Sequence, residues 1–360
     1  VEDKDMKAFR MMVLLVAGAL GASQAPAQAP PVLPVAPDCM ARDGLEFVCG
    51  LQAVEDLVQV GKSRWLLGSG LGGGGRSGTL VLVDTRAKTG AVIYPAADAP
   101  VAHDGRRFPA CASPPDQKAF NAHGITIRSS ARDRYELLVV NHGREAIEFF
   151  AVDASGARPA LTWTGCVTMP ADTYTNSLDS LPDGGFVATH FYSPSKGGIG
   201  AVFAREVTGG LLEWHPGGVV SKIPGTEVSG ANGILLQDGG RVMLVAAWGT
   251  RELVRFERQG NGVAKKSVPV DFALDNLRWT SDGKLLVAGQ KFRATRQGPA
   301  GLEGWTVAVF DPRSLALVRK LKEVDGKASF QGVSSALEVG DEIWVGPFSG
   351  DRIAHFPRPR

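Results

Sequence analysis

The chain has 360 residues, 44% hydrophobic and 21% charged, with a formal net charge of +2, which is long enough to bury a substantial core and too apolar for a disordered chain. Lys and Arg are dispersed among Asp and Glu, so no basic stripe is offered to nucleic acid. Forty-five Gly and 22 Pro without a period of three exclude collagen and indicate a chain that turns often, while 7 Trp and 16 Phe supply anchors for sheet packing.

Residues 1–29 read as a signal peptide. Lys7 and Arg10 form a short basic region, Met11 to Leu20 is an apolar run, and Gly21 to Ala29 is rich in small residues. The acidic stretch Val1 to Asp5 sits ahead of this pattern, which makes Met6 a candidate start. The apolar run is far shorter than the ~20 residues that cross a bilayer, so the expectation is export to the periplasm or beyond, with no transmembrane segment in the mature protein. Residues 30–38 form an Ala/Pro linker, and the folded unit is expected over 39–360. Cys39, Cys49, Cys111 and Cys166 lack C-x-x-C or Cys/His zinc spacing and are disulfide candidates in an exported protein. Of the three pairings, proximity along the chain favours Cys39 with Cys49 and Cys111 with Cys166.

From there the chain is a series of short apolar, β-branched runs separated by Gly, Asp and Asn turns. Trp65 to Leu67, Thr79 to Val83, Tyr135 to Val140, Ile147 to Val152, Gly185 to Thr189, Val242 to Ala246, Leu253 to Phe256, Leu285 to Ala288, Val307 to Phe310 and Ile343 to Val345 all read as strands, with no competing helical periodicity. Three turn signals, at Pro182 to Gly185, Gln237 to Gly240 and Ser281 to Lys284, are each preceded by an Asn followed by apolar residues: Asn176, Asn232 and Asn276. These asparagines are 56 and 44 residues apart, a spacing that fits one four-stranded blade per repeat. Similar openings at Glu55-Asp56-Leu57, His123-Gly124-Ile125 and Gln331-Gly332-Val333 bring the count to six. The prediction is an all-β, six-bladed propeller of four-stranded blades, the first strand of each lining a central channel.

Equivalent strand starts converge at one end of a propeller axis. Glu55, His123, Asn176, Asn232, Asp275 and Asn276 would therefore meet, and two carboxylates with three amide oxygens form an all-oxygen set suited to Ca2+ rather than Zn2+.

The stretches Val54 to Leu57, Asn121 to Ile125, Leu138 to His142, Gly230 to Ile234, Leu274 to Leu277 and Gln331-Gly332 resemble, in order and at similar spacing, the paraoxonase/arylesterase family. That family lies within the six-bladed calcium propellers that include SMP-30-type gluconolactonases and strictosidine synthase. The resemblance runs from about Glu55 to Phe348. It implies a central calcium held by Glu55, Asn176, Asn232, Asp275 and Asn276, with a catalytic histidine pair, His123 and His142, beside it. Calcium would polarise an ester or lactone carbonyl, His123 would take the proton of the attacking water, and His142 would hold the useful tautomer. A second, structural calcium is implied at Asp56 and the Ile125 carbonyl, but Ser177 stands where the family has an aspartate, and losing a carboxylate weakens such a site. No cysteine follows Cys166 to close the ring by a disulfide, so closure is expected from strand pairing between the segment around Leu45 to Val48 and the sixth blade.

There is no G-x-S-x-G elbow, and Gly72 to Gly75 is not followed by Gly-Lys-Ser/Thr. The leading expectation is a calcium-dependent hydrolase of small lactones or aryl esters. Its rivals are a sugar-lactone hydrolase of gluconolactonase type and a propeller that binds a ligand without catalysis. Phe191, Tyr192, Trp248, Phe292 and Phe348 favour a lipophilic substrate, with specificity expected in loops over Asp104 to Gln117 and Phe292 to Gly304.

Overall fold

Each apolar run forms the middle of a sheet buried on both faces, which explains why Val242 to Ala247 is apolar throughout rather than alternating. The computed structural model describes residues 39–260, 262–295, 298–326 and 328–359. The expected signal peptide and linker lie outside the described residues.

The described chain enters through β1 (Glu46–Cys49). Blade one then consists of β2 (Val54–Gln59), β3 (Trp65–Gly70), β4 (Thr79–Asp84) and β5 (Thr89–Tyr94). Blade two holds β6 (Ala122–Ala131), β7 (Arg134–Asn141), β8 (Ala146–Asp153) and β9 (Ala160–Thr168). In blade three, β10 (Tyr174–Ser180) and β11 (Phe186–Tyr192) are followed by the short helix α1 (Gly198–Phe203), β12 (Gly209–Trp214) and β13 (Ser221–Val228). Blade four is β14 (Ala231–Gln237), β15 (Val242–Ala247), β16 (Glu252–Gln259) and β17 (Gly262–Pro269). Blade five is β18 (Ala273–Trp279), β19 (Leu285–Thr295), β20 (Gly298–Phe310) and β21 (Leu317–Asp325). Blade six takes β22 (Val333–Val339), β23 (Glu342–Pro347) and β24 (Arg352–Pro357), with β1 as its outermost strand.

Among the described residues this gives six antiparallel four-stranded sheets, as the repeat predicts. The inner strands β2, β6, β10, β14, β18 and β22 touch one another in turn around the ring. Ring closure is by strand pairing, Glu46 opposite His355 through Cys49 opposite Arg352, as expected for a chain with no late cysteine. The two disulfides are Cys39–Cys49, which ties the preceding segment to the closing strand, and Cys111–Cys166, which ties the irregular Asp104 to Gln117 segment to β9.

Apolar packing runs between blades rather than around one centre. Val187 and Leu211 of blade three pack with Ile234, Met243 and Val245 of blade four, and Leu286 and Trp305 of blade five with Ile343 and Val345 of blade six. One expectation is corrected. Of Phe292 to Gly304, the described residues, Phe292 to Thr295 and Gly298 to Gly304, are no loop but a paired extension of β19 and β20, with Phe292 opposite Leu302 and Thr295 opposite Gly298, because the backbone continues the ladder after a bulge.

All six inner strands break register near the same end. The shifts fall at Glu55, at His123-Gly124, at Asn176-Ser177, at Asn232-Gly233, at Asp275-Asn276 and at Ser334. A bulge leaves one or two residues outside the ladder and re-aims their side chains. This is how six strands that pair normally elsewhere present polar groups to the axis. Two glycines let the neighbouring backbones close in. A side chain at Gly124 would lie 2.4 Å from the Asn176 carbonyl, and one at Gly233 would lie 2.3 Å from that of Asp275.

Candidate active site

The bulges gather Glu55, Asn176, Asn232, Asp275 and Asn276 at one end of the channel, each no more than 5% exposed. Asn276 donates to Glu55 Oε1 at 2.8 Å, and Gln290 Nε2 donates to Asp275 Oδ2 at 2.6 Å and to the Val333 carbonyl at 2.9 Å. Ser334 contributes for blade six by donating to the Glu55 carbonyl at 2.7 Å. One oxygen of every residue in the set accepts no hydrogen bond: Glu55 Oε2, Asn176 Oδ1, Asn232 Oδ1, Asp275 Oδ1 and Asn276 Oδ1. A buried orphan acceptor costs about 1–3 kcal/mol. Five of them on five bulged strand positions, two on carboxylates, have the chemistry that a hard cation with all-oxygen coordination requires, and the residues fit calcium. Among the described residues no group of three or more His, Cys, Asp or Glu side chains is placed to hold a metal, so an ion held here would need the amide oxygens as well.

Burial also acts on the charges. It pushes the Glu55 carboxyl well up, with the nearby Asp275 and Asp56 charges adding to it, and raises Asp275 to about 7, chiefly by burial with Asp56 contributing. Two carboxylates that resist ionisation when alone are ready to exchange a proton for a cation.

Next to this set, His123 Nε2 lies 3.7 Å from Glu55 Oε1. His123 Nδ1 meets His142 Nε2 at 2.7 Å, and His142 Nδ1 meets Glu145 Oε2 at 2.9 Å. His142 opens the turn between β7 and β8, directly after Asn141, the last strand residue. Asn141 holds that turn: it donates to the buried Glu148 at 2.8 Å and accepts from the Gly143 amide at 2.9 Å. Glu145, which sequence reasoning missed, adopts φ 43 in the same turn, a conformation rare for a side-chain-bearing residue. Its second oxygen accepts from the Thr175 amide at 2.7 Å, next to Asn176. The only local signal was the His-x-x-Glu spacing.

The relay sets the tautomers. A carboxylate only accepts, so His142 Nδ1 carries the proton and its Nε2 must accept from His123 Nδ1–H. His123 Nε2 is then the unprotonated nitrogen that faces the oxygen set. Burial, with His142 adding to it, holds the His123 pKa well below its ordinary value, so the ring is neutral near pH 7.

No protein-family model and no curated protein matches the chain. Solved structures do resemble it. One is a luciferin-regenerating enzyme, 13% identical over 87% of this chain and 94% of that one, with a TM-score of 0.52. Another is regucalcin, a calcium-binding protein of Agrobacterium tumefaciens, 12% identical over 86% and 91% of the two chains, TM-score 0.49. A third is the periplasmic gluconolactonase of Pseudomonas aeruginosa, 15% identical over 75% and 69%, TM-score 0.41. The likeness is one of fold.

An aromatic arc leads away from the histidines. Tyr174 stacks on His142 at 4.0 Å and on Tyr192 at 4.5 Å, Phe191 follows at 5.4 Å from Tyr192, and Trp248 at 6.1 Å from Phe191. Trp248 meets Phe292 and Phe203, and its indole N–H donates to Gln290, the partner of Asp275. Phe348, the fifth ring predicted, stands apart over Gly332 in blade six.

The raised carboxyls predict opposite pH responses with and without the cation. In chelator, the folded protein keeps the Asp275 proton up to about pH 7, whereas the unfolded chain releases it near the ordinary 3.8. That stabilisation is complete below the lower value and lost as pH rises through the upper one. Calcium affinity should run the other way, gaining about tenfold per unit for each proton displaced up to about pH 7. Calorimetric titration at about pH 5.5 and about pH 7.5 checks this; equal affinities at the two values would refute it.

Proposed function

We propose that the chain is an exported, calcium-dependent hydrolase of small lactones or aryl esters with a lipophilic body. The observation that supports the reading is a set of five unpartnered buried oxygens on the bulged inner strands, one of whose residues, Glu55, lies 3.7 Å from the inward nitrogen of a buried, oriented histidine. When bound, calcium supplies a Lewis acid that polarises the carbonyl and stabilises the oxyanion.

The chain's own residues do the rest. Glu55, Asn176, Asn232, Asp275 and Asn276 would hold the ion. His123 Nε2 takes a proton from the water that attacks the carbonyl carbon, and returns it to the alcohol oxygen as the ester C–O bond breaks. Glu145 and His142 keep the accepting nitrogen facing inward. The arc from Tyr174 to Trp248 offers flat apolar surface to the rest of the substrate and keeps water from it.

A screen over aliphatic lactones, sugar lactones and aryl esters, with and without chelator, tests the reading. Chelator-sensitive turnover of aliphatic lactones or aryl esters is expected. Preference for sugar lactones would move the protein to the gluconolactonase type, and calcium binding without turnover of any panel member would make it a ligand-binding propeller.

Glu145→Gln should lower kcat roughly tenfold or more, since an amide can present its N–H to His142 and reverse the tautomers. The pH–rate profile should shift with it, and Glu145→Asp should restore part of the rate. A normal profile in Glu145→Gln would reduce Glu145 to a structural role.

Export rests on the sequence reading of residues 1–29 and accords with the two disulfides, which persist in oxidising compartments. Among the described residues no helix is long and apolar enough to cross a membrane. Intact mass of protein from its native host should show a start between Ala22 and Pro31 and no free thiol. A mass that retains Met6 with four reduced cysteines would overturn export.

A further inference from the structure

Below the five-oxygen set, Asp56 is fully buried on the axis. Its Oδ2 accepts from the Ile125 amide at 3.0 Å, and its Oδ1 accepts from the Leu57 amide at 2.9 Å and from Arg278 Nη2 at 2.5 Å. The same Nη2 donates to the Ile125 carbonyl at 3.1 Å, Nε to the Leu57 carbonyl at 2.9 Å, and Nη1 to the Leu277 carbonyl at 2.8 Å. One guanidinium, 8% exposed, thus joins the inner strands of blades one, two and five.

The oxygens it uses are those a second ion would need. Calcium binds oxygen at 2.3–2.6 Å, so an ion shared by Asp56 Oδ1 and the Ile125 carbonyl would lie about where Nη2 lies. The two cannot coexist. Ser177 offers a neutral, unpartnered hydroxyl on the neighbouring inner strand, where a divalent ion would gain most from a carboxylate. Charge points the same way. Glu55, Asp56 and Asp275 carry three negative charges when ionised and Arg278 returns one, which leaves two for a single divalent ion. Asp179, farther along the axis, has its own donors in the Leu236 amide, the Ser180 amide and the Thr126 hydroxyl.

We propose that Arg278 is a built-in cation: it permanently fills the axial position of a second divalent ion, so the chain takes up one such ion and keeps three blades tied when that ion is removed. The count of one rests on the reading of the five-oxygen set as a calcium site; the exclusion at Asp56 does not. Guanidinium suits the task because its charge is fixed and its donors lie in a rigid plane that reaches several acceptors at once.

Calcium bound per chain, counted by native mass spectrometry, tests this with wild type, Asp275→Ala and the double variant Ser177→Asp/Arg278→Ala. Wild type should bind one ion and Asp275→Ala none. The double variant should bind one more than wild type, and its Tm should fall in chelator and recover in calcium by about 5 °C or more. Two ions on wild type, or an ion on Asp275→Ala that Asp56→Asn removes, would overturn the proposal. So would a folded double variant without the extra ion. No ion on wild type would sink the five-oxygen reading alone, and the gain or absence of an ion in the double variant would still decide on Arg278. If the double variant does not fold in millimolar calcium, Arg278→Lys decides: it keeps the charge but cannot reach three strands. A Tm lowered equally in calcium and chelator, or a second ion absent from wild type, supports the proposal, and an unchanged Tm with an unchanged ion count overturns it.

Discussion

Replacing His123 with Gln is expected to lower kcat by roughly 10²- to 10⁴-fold, the range lost with a general base, while calcium affinity stays the same. The ring is 7% exposed, and burial with its His142 neighbour keeps it neutral at working pH. Its Nδ1 is taken by His142, which leaves Nε2 with a free lone pair near Glu55. Gln has similar reach and can still contact His142, but it has no nitrogen basic enough to accept a proton from water. The oxygen set is untouched, so a titration that shows normal binding beside a collapsed kcat would separate chemistry from assembly. Because the ring's pKa is depressed, the wild-type rate should show no His123 protonation step as pH falls from about 8 to about 6.5. Full lactone or aryl-ester turnover by His123→Gln across that range would reject the histidine as base and make His142 the next group to test.

Asp275→Ala is expected to abolish tight calcium binding and with it the calcium-dependent part of the stability. At a hundredfold excess over Kd, a ligand that binds only the folded state contributes about 2.7 kcal/mol. The substitution removes one of the two carboxylates and leaves Gln290 with Val333 and Trp248 as partners. It also removes a like charge that adds to burial in pushing Glu55 up. In chelator near pH 8 the variant should therefore lose less than its missing side chain would suggest, while the gap between its Tm in calcium and in chelator closes. Unchanged calorimetric binding would reject Asp275 as a ligand and, with it, the assignment of the set.

The readable part of this protein was the part its sequence repeats. Apolar runs such as Val242 to Ala247 announced middle strands because a strand packed on both faces has no polar alternation to confuse it. The openings at Glu55, His123, Asn176, Asn232 and Asp275-Asn276 stood out because a propeller needs the same bulge at the same place in each blade. Outer strands such as β13 (SKIPGTEV) and β17 (GVAKKSVP) carry no such signal: they are half solvated, and their pairing comes from the neighbour's exposed ladder rather than from their own composition.

What tertiary structure alone decided lies where partners are distant in sequence. Arg278 sits two residues after a recognised ligand and reads as an ordinary strand residue, yet it bonds Asp56 and Leu57 more than 220 positions away. In blade six the sequence pattern points to Gln331-Gly332, and only the register of β22 against β23 shows that Ser334 is the bulged residue. Glu145 is exposed in pattern and half-buried in fact; its role came from the turn that points it at His142 and from β10 supplying Thr175. A strand's own chemistry is written in its residues, because burial and alternation act locally. Which side chain completes a site on the axis depends on six strands brought together by ring closure, and no local pattern encodes that.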